Sequence, residues 1–460
     1  MSSPNGSVGL IRGLGLAGAI SLNVGNMIGT GVFLKARVMT CNTDSPMQVL
    51  AVWFLAGALV LAGALSYGEL SAMMPQAGGE YVFLRQAYGP RLGFLYGWTY
   101  IFVGRGGSLA AQSVGSAIFL NMVAGGAVEA FSAFGLSGLS LVSVAVIALS
   151  GLVNCLAVKN TGRLATLVMS IKIGIVASVG IAVFAMAPGD WMHYTLPGAA
   201  GVCQGVPDSA RGGLMGFGAA MIAALWGYQG WANLAPLIGE VREPGRILPR
   251  AFALSTLIVA GLYLLANASY FYALTPAEVA SVPASSSVAT IALSRFLGPA
   301  VAAWMAAAML FSSVGAIHAG IAPTMRMPYA MALDGFFFSP FRKVSSSGVP
   351  VRSALLIGSW AAILSLTGSY DKLTDYAIFA HWLFYGLTAA SLFVLRRTQP
   401  DAERPYRTWG YPVVPGLFVL VTLWLLLNTI LTVPSQALFG LGLIALGLPF
   451  YFYWARRPAA

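Results

Sequence analysis

Gly25-Asn26-Met27-Ile28-Gly29-Thr30-Gly31 interrupts an apolar run from residue 10 to residue 40, and Trp226-Gly227-Tyr228-Gln229-Gly230 interrupts another from 213 to 239. Hydrocarbon cannot satisfy the N–H and C=O groups that an unwound stretch exposes, so a break at membrane depth must face ligand, water or protein. One glycine-rich span is more often a packing device than a site. Two breaks at corresponding positions of two halves point instead to a binding site near the bilayer midplane.

The composition makes the bilayer the solvent. Hydrophobic residues make up 58% of the 460 and charged residues only 8%, with mean hydropathy +0.79. Soluble domains carry about 25% charged residues, so a water-exposed surface cannot be built from this set. Apolar runs long enough to cross hydrocarbon predict an all-α membrane protein of twelve transmembrane helices. They fall at 10–40, 47–73, 90–122, 137–158, 164–187, 213–239, 249–274, 297–330, 350–368, 372–396, 412–433 and 436–455. Five spans separate the two breaks, and an odd number of crossings inverts the second unit relative to the first. The expected organisation is a single transporter domain over 1–460: a first five-helix repeat at 10–187, an inverted second repeat at 213–396, and two additional helices at 412–455.

The formal charge of +11 does not form a basic stripe, so nucleic acid is not an expected partner. Arg12, Arg85, Arg91, Lys159, Arg163, Arg242, Arg246, Arg250, Arg326, Arg342, Lys343, Arg352, Arg396, Arg397, Arg404, Arg407, Arg456 and Arg457 fall on one side of the span pattern, against Lys35, Arg37, Arg211, Arg295 and Lys372 on the other. The positive-inside rule then predicts a multi-pass cell-membrane protein with both termini cytoplasmic. No cleavable signal peptide is evident, because the first apolar stretch lacks a short core followed by a small-residue cleavage site. Cys41, Cys155 and Cys203 give neither a metal spacing nor a Cys-x-x-Cys pair, and His, Asp and Glu are dispersed. No metal, cofactor or enzyme chemistry is expected. Cys41 and Cys203 both fall on the outer side and could meet in a disulfide, which sequence cannot establish.

The chemistry of the first break suits an amino acid. The outer half-helix begins near Thr30 and Gly31 and turns its positive dipole end and free amides toward an anion such as a carboxylate. Gly29 and Gly31 permit close approach of a ligand to the backbone. The inner half-helix ends near Met27 and Ile28 with free carbonyls, and Trp226 and Gly227 offer more, so an ammonium group has acceptors. Ser108, Gln229 and His381 complete the candidate substrate-binding set.

These motifs resemble those of the amino acid-polyamine-organocation superfamily. The resemblance lies in Val24-Gly-Asn-Met-Ile-Gly-Thr-Gly-Val-Phe33, Met74-Pro-Gln-Ala-Gly-Gly-Glu-Tyr-Val-Phe83, Trp226-Gly-Tyr-Gln-Gly-Trp231 and Gly239-Glu-Val-Arg-Glu-Pro-Gly-Arg-Ile-Leu-Pro-Arg250. Arg404-Pro-Tyr-Arg407 is similar to the L-type amino acid transporter branch, and the likeness runs from about residue 10 to about residue 420. It implies a LeuT-type 5+5 inverted repeat with interrupted helices 1 and 6, working by alternating access. The substrate carboxylate would rest on the Thr30 and Gly31 amides, its amine on carbonyls near Met27, Ile28 and Trp226, and Trp226 would act as an aromatic lid. Gln229 stands where L-type relatives commonly have glycine, and His381-Trp382 replaces an Asn-Trp pair, so side-chain selectivity does not carry over. Animal L-type carriers bond a glycoprotein subunit through a cysteine between spans 3 and 4. Leu120 to Leu139 contains none, so no disulfide-linked heavy subunit is expected.

Lys172 lies in the middle of the fifth span, where an ammonium costs about 3 kcal/mol on insertion scales. The resemblance places this lysine where sodium-coupled members hold a sodium ion. It would bond carbonyls near Val24 and Gly25 and the hydroxyls of Ser312 and Ser313, so sodium dependence is not expected. Arg105 is similar to an arginine of the L-type branch, with structural pairing and a substrate role both open. Glu69 and Glu80 are expected to form gate or loop ion pairs, and His318 to be a packed core residue. With no carboxylate at the break, neutral amino acids are favoured over a cationic amino acid, polyamine or amine. The expectation is a secondary transporter, an exchanger (antiporter) or proton-coupled symporter, rather than a channel or membrane-embedded enzyme.

Overall fold

Proline and glycine punctuate the helices at both ends of the bundle. Pro46, Pro90, Pro244 and Pro434 each stand in a helix's first turn, where the missing N–H has no partner to lose. The computed structural model describes residues 13–75, 78–156, 161–197, 201–345, 349–367 and 369–456. Arg12, Lys159 and Arg457, used in the charge argument, and Gln76 and Ala77 of the second motif lie outside the described residues.

Helix α1 (Leu16–Met27) stops where Ile28 turns extended (φ −72°, ψ 99°), and the chain resumes as α2 (Gly31–Leu34) and α3 (Ala36–Thr43). Lys35 keeps right-handed dihedrals between them, so α2 and α3 form one half-helix. α4 (Pro46–Met73) returns to the starting end, capped by the Ser45 hydroxyl. The segment read as a loop after it contains a buried helix, α5 (Glu80–Tyr88), because one face of Glu80–Leu84 packs inward. α6 (Pro90–Thr99), a π-helical turn at Tyr100–Arg105 and α7 (Gly106–Val123) then follow one another directly. Short α8 (Ala127–Ala130) and the pairing of Ser132–Ala133 with Leu136–Ser137 lead to α9 (Gly138–Leu156) and α10 (Thr161–Met186).

The second half opens with α11 (Gly213–Gly227), after which the chain unwinds and passes through a 3-10 segment, Ala235–Glu240. It continues through α12 (Pro244–Ala273), α13 (Pro276–Ala280), α14 (Val288–Leu333), α15 (Val351–Thr367), α16 (Tyr370–Thr398), α17 (Val413–Thr432), α18 (Pro434–Ala445) and α19 (Gly447–Ala455). The run expected to begin at 297 is entered from further upstream, at Val288, and bends at Gly298, whose φ of 79° only glycine adopts cheaply.

Among the described residues, nine helical stretches are long and apolar enough to cross a membrane, with shorter apolar helices at Gly213–Gly227, Val288–Gly298 and Val351–Thr367. Large apolar side chains such as Leu149, Ile181, Trp304, Leu355 and Leu431 point outward and are exposed. Water would not tolerate so much apolar surface, whereas lipid does. Helix α4 packs along α12, α7 along α14, and α9 along α15, which sets α1 and α11 at the centre. At one end Cys41 and Cys203 form a disulfide (Cα–Cα 5.6 Å). The opposite end is rich in arginine.

Candidate functional site

The two breaks meet. A Cβ built on Gly31 would lie 2.6 Å from Gly227 Cα, so the two interrupted helices touch backbone to backbone at these glycines. This revises the sequence argument: a side chain at Gly31 would strike Gly227 in this conformation. Gly230 (φ 108°) turns the chain just beyond, against the carbonyl of Asn26.

One tyrosine ties both breaks together. Tyr263 on α12 is fully buried, and its hydroxyl lies 2.9 Å from the Met27 carbonyl and 2.8 Å from the Gly227 carbonyl. A single O–H proton serves one acceptor at a time, so the other carbonyl keeps acceptor capacity. Ile28 and Gly25 turn their carbonyls to the Lys172 ammonium on α10, at 3.0 and 2.8 Å. The Val24 carbonyl is taken by the Ile28 amide instead. Ser313 Oγ bonds Ser116 Oγ at 2.7 Å, and Ser312 Oγ is buried without a partner among the described residues. Lys172 therefore bridges α10 to the end of α1, while neither serine hydroxyl bonds it.

On the disulfide side of the break, Trp226 Nε1 donates to Tyr370 Oη at 2.7 Å, and Tyr370 donates to Thr30 Oγ1 at 2.8 Å. Thr30, Trp226 and Tyr370 thereby close a plug across α2, α11 and α16. Beyond it lies a cavity of about 510 Å³ lined by Lys35, Arg37, Tyr370, Asp371 and Asp375, among others. Asp371 receives Lys35 at 2.7 Å and Arg37 at 2.9 Å, while Arg37 also donates to the Gln204 carbonyl at 2.6 Å. Lys35 is fully buried, its ammonium further held by Thr374 Oγ1.

On the arginine-rich side the site is walled by a polar layer. Gln229 Nε2 donates to Tyr385 Oη at 3.4 Å, and its Oε1 has no partner among the described residues. The His381 ring lies 5.7 Å from that of Tyr385 and 6.4 Å from that of Tyr100, and its Nδ1 pairs with the Ala377 carbonyl. Arg105, carried inward by the π-helical turn, donates to Tyr100 Oη at 3.3 Å and leaves Nη2 unpaired. Ser108, one turn along, is buried with an unpartnered hydroxyl.

Farther toward that end, Glu69 is an ion-pair residue: Arg396 grips it with two bonds (2.9 and 2.7 Å), Arg404 Nε lies 3.4 Å away, and the Thr408 amide donates at 2.6 Å. Glu80 departs from the expectation. It is buried among tyrosines and forms no ion pair among the described residues. Tyr81 and Arg85 meet Asp334, and Arg326 pairs with Glu240. His318 bonds Asn154 at 2.8 Å within the core.

Sequence reading missed Tyr263, Tyr370 and Tyr385. The available signal was a tyrosine inside an apolar span, whose hydroxyl needs a partner when buried. Which partner depends on helices far apart in the chain.

A bundle with lipid-facing sides, a central pair of broken helices and a plug at one end belongs to the class of membrane transporters. The chain is a member of the amino acid permease family, within the amino acid-polyamine-organocation superfamily: that family matches residues 14–443. It is 30% identical to the b(0,+)-type amino acid transporter 1 of Mus musculus, over 97% of this chain and 90% of the relative. It is 29% identical to the serine/threonine exchanger SteT of Bacillus subtilis, over 98% and 99% of the two chains. It is likewise 29% identical to the large neutral amino acids transporter small subunit 2 of Mus musculus, over 99% and 84%. The protein is a transporter, not an enzyme.

Proposed function

We propose that the protein is a sodium-independent secondary carrier of neutral amino acids that works by alternating access, with twelve spans in a 5+5 inverted arrangement and both termini cytoplasmic. The observation that carries this reading is the Lys172 ammonium on the Gly25 and Ile28 carbonyls. A fixed cation there does the work of a bound sodium ion, anchoring α1 to α10 without a co-ion. The packing of α4 on α12, α7 on α14 and α9 on α15 supports the repeat, since each pair occupies matching places in two five-helix units.

Substrate recognition follows from the break. The Thr30 and Gly31 amides begin the half-helix and suit a carboxylate. The Met27, Trp226 and Gly227 carbonyls suit an ammonium, with lone pairs left beyond those that Tyr263 can engage. The two breaks, Gly25–Gly31 and Trp226–Gly230, carry no carboxylate, and Arg105 donates to Tyr100 in the layer beside them with Glu80 behind it, so neutral side chains are favoured. The relatives' printed names, a serine/threonine exchanger and a large neutral amino acid transporter subunit, agree with that class. This reading includes no disulfide-linked heavy subunit; Cys41 and Cys203, the two cysteines at that end, are bonded to each other.

Purified protein in liposomes, tested with serine, threonine, leucine and arginine, with and without internal amino acid and with and without sodium, decides the reading. Saturable uptake stimulated by internal amino acid and indifferent to sodium is expected. A strict sodium requirement, or preferred uptake of arginine, would overturn the corresponding part.

A further inference from the structure

Glu80 is the buried acid that the transport geometry leaves unused. Gly78 (φ 128°) and Gly79 (φ 51°) bend the chain just before α5, and a Cβ on Gly79 would lie 2.9 Å from the Ala235 carbonyl carbon. The bend presses the start of α5 against the strand of chain that follows the α11 break, and drives Glu80 inward until it is 3% exposed.

What surrounds it is an incomplete polar cluster. Tyr67 on α4, Tyr96 on α6, Arg105 at the end of the π-helical turn and Tyr385 on α16 lie within electrostatic reach of the carboxyl, and the Tyr67 and Tyr385 rings are 6.1 Å apart. Among the described residues, Glu80 Oε2, the hydroxyls of Tyr67 and Tyr96, and Arg105 Nη2 make no hydrogen bond within 3.5 Å, although Tyr96 stands near enough to the carboxyl, and Thr388 to Tyr67, to act on them. Buried polar groups are almost always paired, so a cluster with four open valences is built for something that comes and goes. Glu69, at the same end, shows the settled alternative: its carboxylate is saturated by Arg396, Arg404 and an amide. The other charges near α5 are already engaged, Arg85 with Asp334 and Arg326 with Glu240. His381 stands behind Tyr385, its Nδ1 committed to the Ala377 carbonyl.

We propose that Glu80 is a proton-binding site that couples amino acid movement through the arginine-rich end to the movement of one proton in the same direction. The proposal rests on the carrier reading above and deepens it. A proton reaches Oε2 from the disulfide side by way of the polar layer of Gln229 and Tyr385 while the site is open there. The neutral carboxyl then donates to a tyrosine hydroxyl, and the arginine-rich end stays dry and shut. When that end opens, water reaches Glu80, the O–H bond breaks, and the proton leaves to water with the substrate. Burial raises the Glu80 carboxyl to about 7, which lets it load and unload near neutral pH. Because the folded acidity is weakened, the proton is held below that value and lost as pH rises through it.

The test uses purified full-length protein in liposomes and a mixture of tritiated leucine, serine and threonine. Wild type with an inward gradient of about one pH unit should accumulate substrate up to roughly tenfold, the limit for one proton per substrate. Glu80→Gln should lose accumulation while keeping exchange against internal amino acid. Should that variant not survive purification, Glu80→Asp retains a carboxyl on a shorter arm and should accumulate with a displaced pH dependence. Accumulation by Glu80→Gln equal to wild type, an undisplaced profile in Glu80→Asp, or a wild type that exchanges but never accumulates would each overturn the proton site and leave the carrier reading standing. A wild type that neither exchanges nor accumulates would remove both.

Discussion

Tyr263 places a single hydroxyl between the carbonyls of Met27 and Gly227, so one O–H spans the two broken helices. Tyr263→Phe keeps the ring and deletes that donor, and leaving a buried carbonyl unsatisfied costs about 1–3 kcal/mol. The variant should fold, melt at lower temperature in detergent and show a raised KM for exchange; an unchanged KM would mean that the hydroxyl does not hold the breaks in register. Lys172 makes charge-assisted bonds to Gly25 and Ile28, and such bonds contribute about 1.5–3 kcal/mol each. Lys172→Ala should therefore lower flux by roughly tenfold or more, and added sodium should not restore it. Insertion becomes easier without the charge, so poor expression alone would not account for the loss. Flux equal to wild type across pH would reduce Lys172 to a tolerated buried charge.

Among the helices, α2 and α11 approach each other backbone to backbone, and the approach depends on two positions without side chains. Gly31→Ala puts a methyl 2.6 Å from Gly227 Cα, and Gly227→Ala puts one 2.7 Å from the Trp53 ring. Both should insert normally and transport slowly, because the two half-helices can no longer close on each other; wild-type uptake by either would show that this contact is dispensable. Such breaks are legible in sequence because glycine in an apolar span changes what the backbone can do, a local property. Apolar runs are local too, and nine of them are helices long enough to cross a membrane among the described residues. The plug of Thr30, Trp226 and Tyr370 was not, since Tyr370 lies 340 residues from Thr30 and only tertiary packing joins them. The π-helical turn that re-aims Arg105 leaves no composition signal, and the short helix at Glu80–Tyr88 reads as a polar loop until its inward face finds a partner.

Across the described residues, ion pairs gather at the two ends and leave the middle to backbone groups with the buried cations Lys172 and Arg105. At the disulfide end Asp371 joins α16 to Lys35 and Arg37 of the first half-helix. Asp371 is 30% exposed but Lys35 is 1%, so breaking the pair strands a buried ammonium. Allowing for the partly solvated partner, Asp371→Asn should cost about 1–3 kcal/mol, read as a lower melting temperature and increased reactivity of a cysteine placed at Thr374 toward an impermeant maleimide. No change in either would mean that the cations re-pair with Asp375 across the cavity. The Cys41–Cys203 bond has a further use at this scale. Disulfides persist where the surroundings are oxidising, so the molecule carries a chemical marker of one face. In vesicles that hold the protein in both directions, a reductant that cannot cross the bilayer has access to the bond only in molecules presenting that face outward, and the burial of both cysteines calls for a small phosphine and a long exposure. The fraction cut, counted by mass spectrometry of the alkylated chains, is then a census of orientation, and influx and efflux can each be assigned to the population that carries it.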